Sequence, residues 1–331
     1  MNRLFIILSI ILTSCVNKKN DSSVTQGFLP TLHDNHVHIM SPQLISLWKN
    51  MGIKFSKIDY FYSDIDSIIT TTKAQSLSLV SMAYVYSSNE FGGNAKNIEE
   101  KVRSENNYLA AAKSKYPKTI KAFFGIDPLQ KFALTEIKRC HEELKLDGLK
   151  LHFNASQVYL TEPEHLKKVK TVFEYASDNQ LPILMHFDNS HPKFGKADVK
   201  NLADSILYDL KYVNLQIAHL GTSGGFNQKT KEVLETFIEL FESNHPISEH
   251  KITFDISAVC LDKDAEGIPK LTNSDFDELA SYSRKLGFER IVFGTDYPLY
   301  QSKEYLNLLA AKLRLTENEI ASLLKDQNRY K

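Results

Sequence analysis

Short apolar runs alternate with longer amphipathic stretches along most of the chain. The short runs, rich in branched and aromatic residues, predict strands at Leu32–Ile39, Ser78–Val85, Ile120–Ile126, Gly148–Phe153, Pro182–His186, Val213–His219, Ile252–Ser257 and Arg290–Gly294. Between and after them, helical periodicity predicts helices over Ser63–Ala74, Ala95–Lys115, Lys131–Leu144, Glu162–Asn179, Ala197–Leu210, Lys229–Ser243, Asn273–Leu286 and Ser302–Arg314. Pro163 suits a first helical turn, where its missing N–H goes unused. Thr316 and Glu319 have the spacing of a capping box, which adds a terminal helix over Thr316–Lys325. Strand–helix alternation of this kind predicts an α/β protein, a parallel (β/α)8 TIM barrel with its active site at the C-terminal ends of the strands. An open doubly wound sheet is the alternative, but no Gly-x-Gly-x-x-Gly follows any strand.

The N-terminus stands apart from this rhythm. After Met1-Asn2-Arg3, residues Leu4–Leu12 form an apolar run too short to span a bilayer but long enough for a signal-peptide core. The run ends in Leu12-Thr13-Ser14-Cys15, which resembles the lipobox of bacterial lipoproteins. That resemblance implies removal of residues 1–14, lipidation of Cys15, and a membrane-anchored protein on the periplasmic or cell-surface side of a bacterium. An ordinary secretory signal followed by a chance cysteine is the plainer alternative. Residues 16–30 are polar and aperiodic, so 15–30 reads as a lipidated tether and 31–331 as the barrel domain.

Charge and cysteine content remove several function classes. The chain balances 40 Lys+Arg against 40 Asp+Glu, and loss of Arg3 with the signal leaves a net charge of −1. No basic field points to nucleic acid. Cys140 and Cys260, the cysteines beyond Cys15, make neither a disulfide framework nor a zinc-finger spacing.

Chemistry concentrates where the strands end. His36 and His38 lie two apart on the first strand, so both imidazoles face one way and form half of a metal site. Lys150 and His152 share a face of the fourth strand, while His186, His219 and Asp296 end the fifth, sixth and eighth. A lone strand-end histidine is ordinary; ligand-competent residues at the same end of successive strands point to a metal.

The ordered set His36-Val37-His38, Gly148-Leu-Lys150-Leu-His152, His186, His219 and Gly294-Thr-Asp296-Tyr-Pro298 resembles the amidohydrolase superfamily. The closer likeness is to its amidohydrolase-related group of lactonases and metal-dependent decarboxylases. The resemblance implies that His36, His38, His186 and Asp296 hold a divalent metal, zinc first, with manganese or iron as alternatives and one ion rather than two. It implies that Asp296 and His219 are catalytic, Asp296 taking a proton from a metal-acidified water. Lys150 is a plain pocket cation, a carboxylated bridge between two ions, or a residue with no active-site role, the pocket cation coming first, and His152 is a candidate substrate contact. Asp255 reads as a hydrogen-bonded rim residue, a substrate contact or a partner to a histidine, the rim role coming first. His33, at odd spacing from the motif, is expected to face outward. His191 lies on the active-site side, while His141, His165, His245 and His250 read as surface or turn residues.

Residues 41–62, with Trp48, form an insertion expected to pack over the barrel mouth, and residues 86–94 could form a lid. The functional expectation is a metal-dependent hydrolase acting on a small lactone, amide or ester. The alternatives are a metal-dependent decarboxylase or hydratase of an unsaturated or aromatic acid, and a non-catalytic surface lipoprotein that retains the barrel. The expected partners are a small-molecule substrate and the lipid anchor, with no nucleic acid.

Overall fold

The computed structural model describes residues 25, 27–28, 32–93, 95–265 and 267–325. The expected signal segment, Cys15 and most of the expected tether lie outside the described residues. Eight parallel strands run in sequence order: β1 (His33–Ile39), β2 (Ser76–Ser81), β3 (Ile120–Gly125), β4 (Gly148–His152), β5 (Ile183–His186), β6 (Asn214–Ile217), β7 (Lys251–Asp255) and β8 (Ile291–Val292). The sheet closes on itself. Asn35 N donates to Phe293 O (3.1 Å), His38 N to Tyr297 O (3.1 Å) and Tyr297 N to His36 O (3.3 Å). Helices follow the strands, so the fold is the expected (β/α)8 barrel. Among the described residues, no helix is long and apolar enough to cross a membrane.

Two apolar layers hold it together. The larger lies between strands and helices, with fully buried residues such as Leu79, Phe124, Leu151, Phe173, Ile217, Phe254 and Leu309. A smaller cluster of Val80, Phe123, Leu184 and Ala218 is separate from it. Val80 pairs with Phe123 in the β2–β3 register, and Phe123 with Gly148 in β3–β4. A Cβ at Gly148 would meet the Phe123 ring at 2.4 Å, so glycine here lets the ring fill the barrel beneath the site. Lys150 and His152, on the same face as Gly148, are stacked above it toward the mouth.

Several predicted elements are shortened at the functional end. The second strand stops at Ser81, and Ala83–Ser87 forms a 3-10 turn. The sixth stops at Ile217, where the chain turns through His219 (φ 55°) and Leu220 (φ 52°). The eighth keeps only two ladder residues. Polar side chains that bond nearby backbone compete with the ladder at such positions. The helix predicted over Lys131–Leu144 begins at Ala133 and widens into a π-turn over Arg139–Glu143. The insertion after β1 carries a helix at Pro42–Asn50, capped by Ser41, whose Oγ accepts from Leu44 N (3.2 Å).

Candidate active site

Strand β1 delivers the two histidines, and buried carboxylates hold its end in place. Asp34 has its side chain fully buried. Its Oδ1 accepts from His36 N (3.2 Å) and Thr295 N (3.0 Å), and its Oδ2 accepts from Thr295 Oγ1 and Ser302 Oγ (both 2.7 Å). Burial pushes its carboxyl up to about 6 despite these donors. Asp34 therefore laces β1 to the segment that carries Asp296.

Asp255 does a second fastening job. It is fully buried, not a rim residue. Oδ2 lies 3.2 Å from His36 Nδ1 and accepts from Gln216 Nε2 (2.8 Å). Oδ1 accepts from His219 N (3.0 Å) and Ser257 Oγ (2.5 Å). One carboxylate thus orients the ring of His36 and the backbone of His219. Burial pushes the Asp255 carboxyl up, but the charges and hydrogen bonds of His36 and His219 outweigh it and hold it below its ordinary range. Burial, and next the Lys150 charge, lowers His36 to about 3. A neutral His36 that donates Nδ1–H to Asp255 presents the Nε2 lone pair to the site.

That lone pair faces a compact cluster. One ligand atom each from His36, His219 and Asp296 falls within 4.8 Å of the others. His36 Nε2 is 3.6 Å and His38 Nε2 3.1 Å from the same Asp296 Oδ1. The His36 ring centroid lies 4.9 Å from that of His38 and 5.1 Å from that of His219. His38 Nδ1 is buried without a hydrogen-bond partner. Burial lowers His38, and it lowers His186 and His152 well below their ordinary value. For Asp296 burial acts upward, but the charge of His219 and the hydrogen bond from His38 carry the carboxyl well below its usual range. The lowered imidazoles of His36 and His38 beside an ionised Asp296 suit a divalent cation, and the donor set fits one.

His186 and His152 form the neighbouring wall. Their rings stack at 3.9 Å and 9°. His186 Nε2 lies 3.3 Å from Ser223 Oγ, and its ring centroid is 5.2 Å from that of His219. His152 Nδ1 accepts from Ala155 N (3.2 Å), which fixes its ring. Lys150 is buried, its Nζ 3.2 Å from His36 Nε2, and burial lowers it to about 8. Its ammonium occupies the lone pair that an ion at His36 would take, so loading an ion displaces this contact.

Above the cluster opens a cavity of about 340 Å³. His38, Lys150, His152, His186, His219 and Asp296 line its floor, and Trp48, Phe55, Tyr62, Met82, Tyr84 and Phe91 its walls. Trp48 Nε1 donates to Phe91 O (3.0 Å), tying the insertion to the loop after β2. His191 is exposed and does not line the cavity. His33 is buried rather than outward, with ring nitrogens 2.7 Å from Ser76 Oγ and 3.0 Å from Ser78 Oγ. Sequence alone assigns no role to Asp34, Gln216 or Ser257, and its first expectation for Asp255, a rim position, differs from the buried place the residue takes. A signal existed for the last three. Gln216 shares a strand face with Ala218, and in Thr253-Phe-Asp255-Ile-Ser257 the polar residues fall on one face.

Comparison with known proteins agrees with this architecture. The amidohydrolase family model matches residues 75–328, and the chain belongs to that family. No curated protein sequence gives a significant match. Among solved structures, a 5-carboxyvanillate decarboxylase from Sphingomonas paucimobilis superposes with a TM-score of 0.59 at 14% identity, covering 89% of this chain and 96% of that one. A 4-oxalomesaconate hydratase from Rhodopseudomonas palustris gives 0.58 at 12% identity, covering 90% and 95%. A dihydroxybenzoic acid decarboxylase from a Polaromonas species, with bound manganese and the inhibitor 2-nitroresorcinol, gives 0.55 at 14% identity, covering 88% and 94%. At these identities the likeness speaks for the fold.

Proposed function

We propose that this chain is a metal-dependent decarboxylase of a small unsaturated or aromatic acid. The observation that carries the reading is the cavity itself, an apolar and aromatic enclosure over a floor of imidazoles, Lys150 and Asp296. A planar acid fits with its ring against Trp48, Phe55 and Tyr84 and its carboxylate toward the cationic floor. Bond cleavage moves the negative charge from the carboxylate to the ring or vinyl carbon, and protonation there leaves neutral CO2 in the apolar enclosure. The fold neighbours named as decarboxylases and a hydratase support this over hydrolysis of a lactone, amide or ester, which would use the same side chains.

His36, His219 and Asp296 would hold one divalent ion, zinc or manganese, with His38 and His186 beside them. Such an ion supplies positive charge that neutralises the substrate's oxygens. The rest of the task falls to side chains. Lys150 attracts the carboxylate, and the aromatic walls hold the ring and exclude water. As the carbon–carbon bond breaks, its electron pair stays on the ring or vinyl carbon, and a proton must reach that carbon. Water supplies it, and Asp296 would pass it on through the carboxylate oxygen that the ion leaves free, while His219 stays with the ion. We further propose that lipidated Cys15 holds the enzyme at a membrane outside the cytoplasm.

The test is a panel of benzoates, acrylates and lactones given to metal-loaded protein, with CO2 and ring opening both followed. CO2 release should appear with acids, and His36→Ala combined with His38→Ala should abolish it while circular dichroism stays native. Lactone or amide cleavage without CO2 release would return the assignment to a hydrolase.

A further inference from the structure

One side of the cavity carries Lys263 beside Asp264, and a second lysine, Lys57, outside the lining itself, reaches the same side at Pro298. After Asp296 the chain turns at Pro298-Leu299, and both residues line the cavity. A lysine approaches this turn from each side. Lys57, from the insertion after β1, donates from Nζ to Pro298 O (3.3 Å) and lies 5.4 Å from the Tyr297 ring centroid and 5.9 Å from that of Phe61. Lys263, from the loop after β7, lines the cavity, donates to Leu299 O (3.4 Å) and lies 4.3 Å from the Tyr300 ring centroid. Both side chains are half-buried.

Neither ammonium forms an ion pair among the described residues. Their hydrogen-bond acceptors among the described residues are the neutral carbonyls of Pro298 and Leu299, which leave donors on each ammonium unused. They also feel one another. After burial, the Lys263 charge is the largest influence lowering Lys57, with Glu304 opposing. Two like charges held at one turn beside an apolar cavity are relieved by an anion between them.

We propose that Lys57 and Lys263 are an anion-binding pole for the substrate's second acidic group, so that the site selects an organic dianion over a monoacid. One carboxylate reaches the floor at Lys150 and the ligand cluster, the apolar middle lies against the aromatic walls, and the other carboxylate bridges the two lysines at the mouth. The inference rests on the acid-directed reading above and assigns its specificity.

Calorimetric binding to metal-loaded protein tests it without turnover. The probes are benzoate against isophthalate and cinnamate against 4-carboxycinnamate, two pairs that differ by one carboxylate and span different lengths. In at least one pair the diacid should bind roughly tenfold tighter, the scale of one or two charge-assisted hydrogen bonds. That ratio should collapse toward unity in Lys57→Met with Lys263→Met and persist in Lys57→Arg with Lys263→Arg. Melting curves of both variants separate lost recognition from lost folding. Equal affinities in both pairs, a ratio that survives the methionine pair, or no binding of any of the acids overturns the proposal. Diacid binding without CO2 release leaves the pole standing and removes the decarboxylase reading, whereas CO2 release with no diacid preference does the reverse.

Discussion

Replacing Asp255 by asparagine changes almost no volume and tests whether this carboxylate sets the chemistry of the cluster. Asp255 Oδ2 takes the His36 Nδ1 proton at 3.2 Å and the Gln216 amide at 2.8 Å, while Oδ1 serves His219 N and Ser257. An asparagine must place its nitrogen on one side. Facing His36, it donates to Nδ1 and drives the ring proton onto Nε2, the atom that looks into the cluster. Facing His219, it opposes a backbone N–H at 3.0 Å. Either way the fully buried negative charge is lost. Losses of this kind behind a metal ligand weaken the metal by about 10- to 100-fold, or about 1.4–2.7 kcal/mol. The metal-free protein should lose about 1–3 kcal/mol of stability, because buried donors go unmet. Competition with a chromogenic chelator measures the first quantity and urea unfolding the second. An Asp255→Asn protein that binds zinc or manganese within about threefold of native would refute the orienting role, whatever its stability.

Two other outcomes follow from residues outside the cluster. Glu105 accepts from Ser41 N (2.8 Å) and Ser41 Oγ (2.5 Å) and is raised by burial from 4.5 to about 7. A carboxyl raised in the folded state binds more protons there than when unfolded, so its contribution is whole below pH 4.5 and lost as pH rises toward 7. Native stability should fall by up to about 3 kcal/mol from this group across that window. Glu105→Gln should lack the fall, and a difference between the two proteins that is flat from pH 5 to pH 8 in denaturant titrations would contradict this. For the anchor, Cys15→Ser expressed in a bacterial host should move the protein from the membrane pellet to the soluble fraction; retention in the pellet would count against lipidation.

The barrel was readable because its strands are separated by helical periodicity. Asn273–Leu286 matches its prediction at both ends, and Ile120–Gly125 and Gly148–His152 each fall one residue short of theirs. Ends near the site were read less well, since an apolar run such as Val213–His219 does not announce that the chain leaves the ladder at Ile217 into left-handed backbone. The same holds for direction. Type and strand position point to His36, His38, His186, His219 and Asp296; the structure gathers His36, His219 and Asp296 most closely, sets His38 against Asp296, and leaves His186 stacked on His152 in the neighbouring wall. Whether Asp255 points to solvent or under His36 depends on barrel twist and on Gln216, 39 positions away. His33 faced two serines of β2 that no local pattern could reveal.

The lacing by Asp34 ties assembly of the site to the arrival of residues 295–302. His36 and His38 emerge early, but their carboxylate partner and the Thr295 and Ser302 groups that grip Asp34 come about 260 residues later. A chain that stops short of residue 295 thus carries the histidine pair without its carboxylate partner. Shutting the seam between first and last strands and creating the pocket's charge pattern are one event, so a lesion that unzips this seam should dismantle the site before it melts the remaining strands.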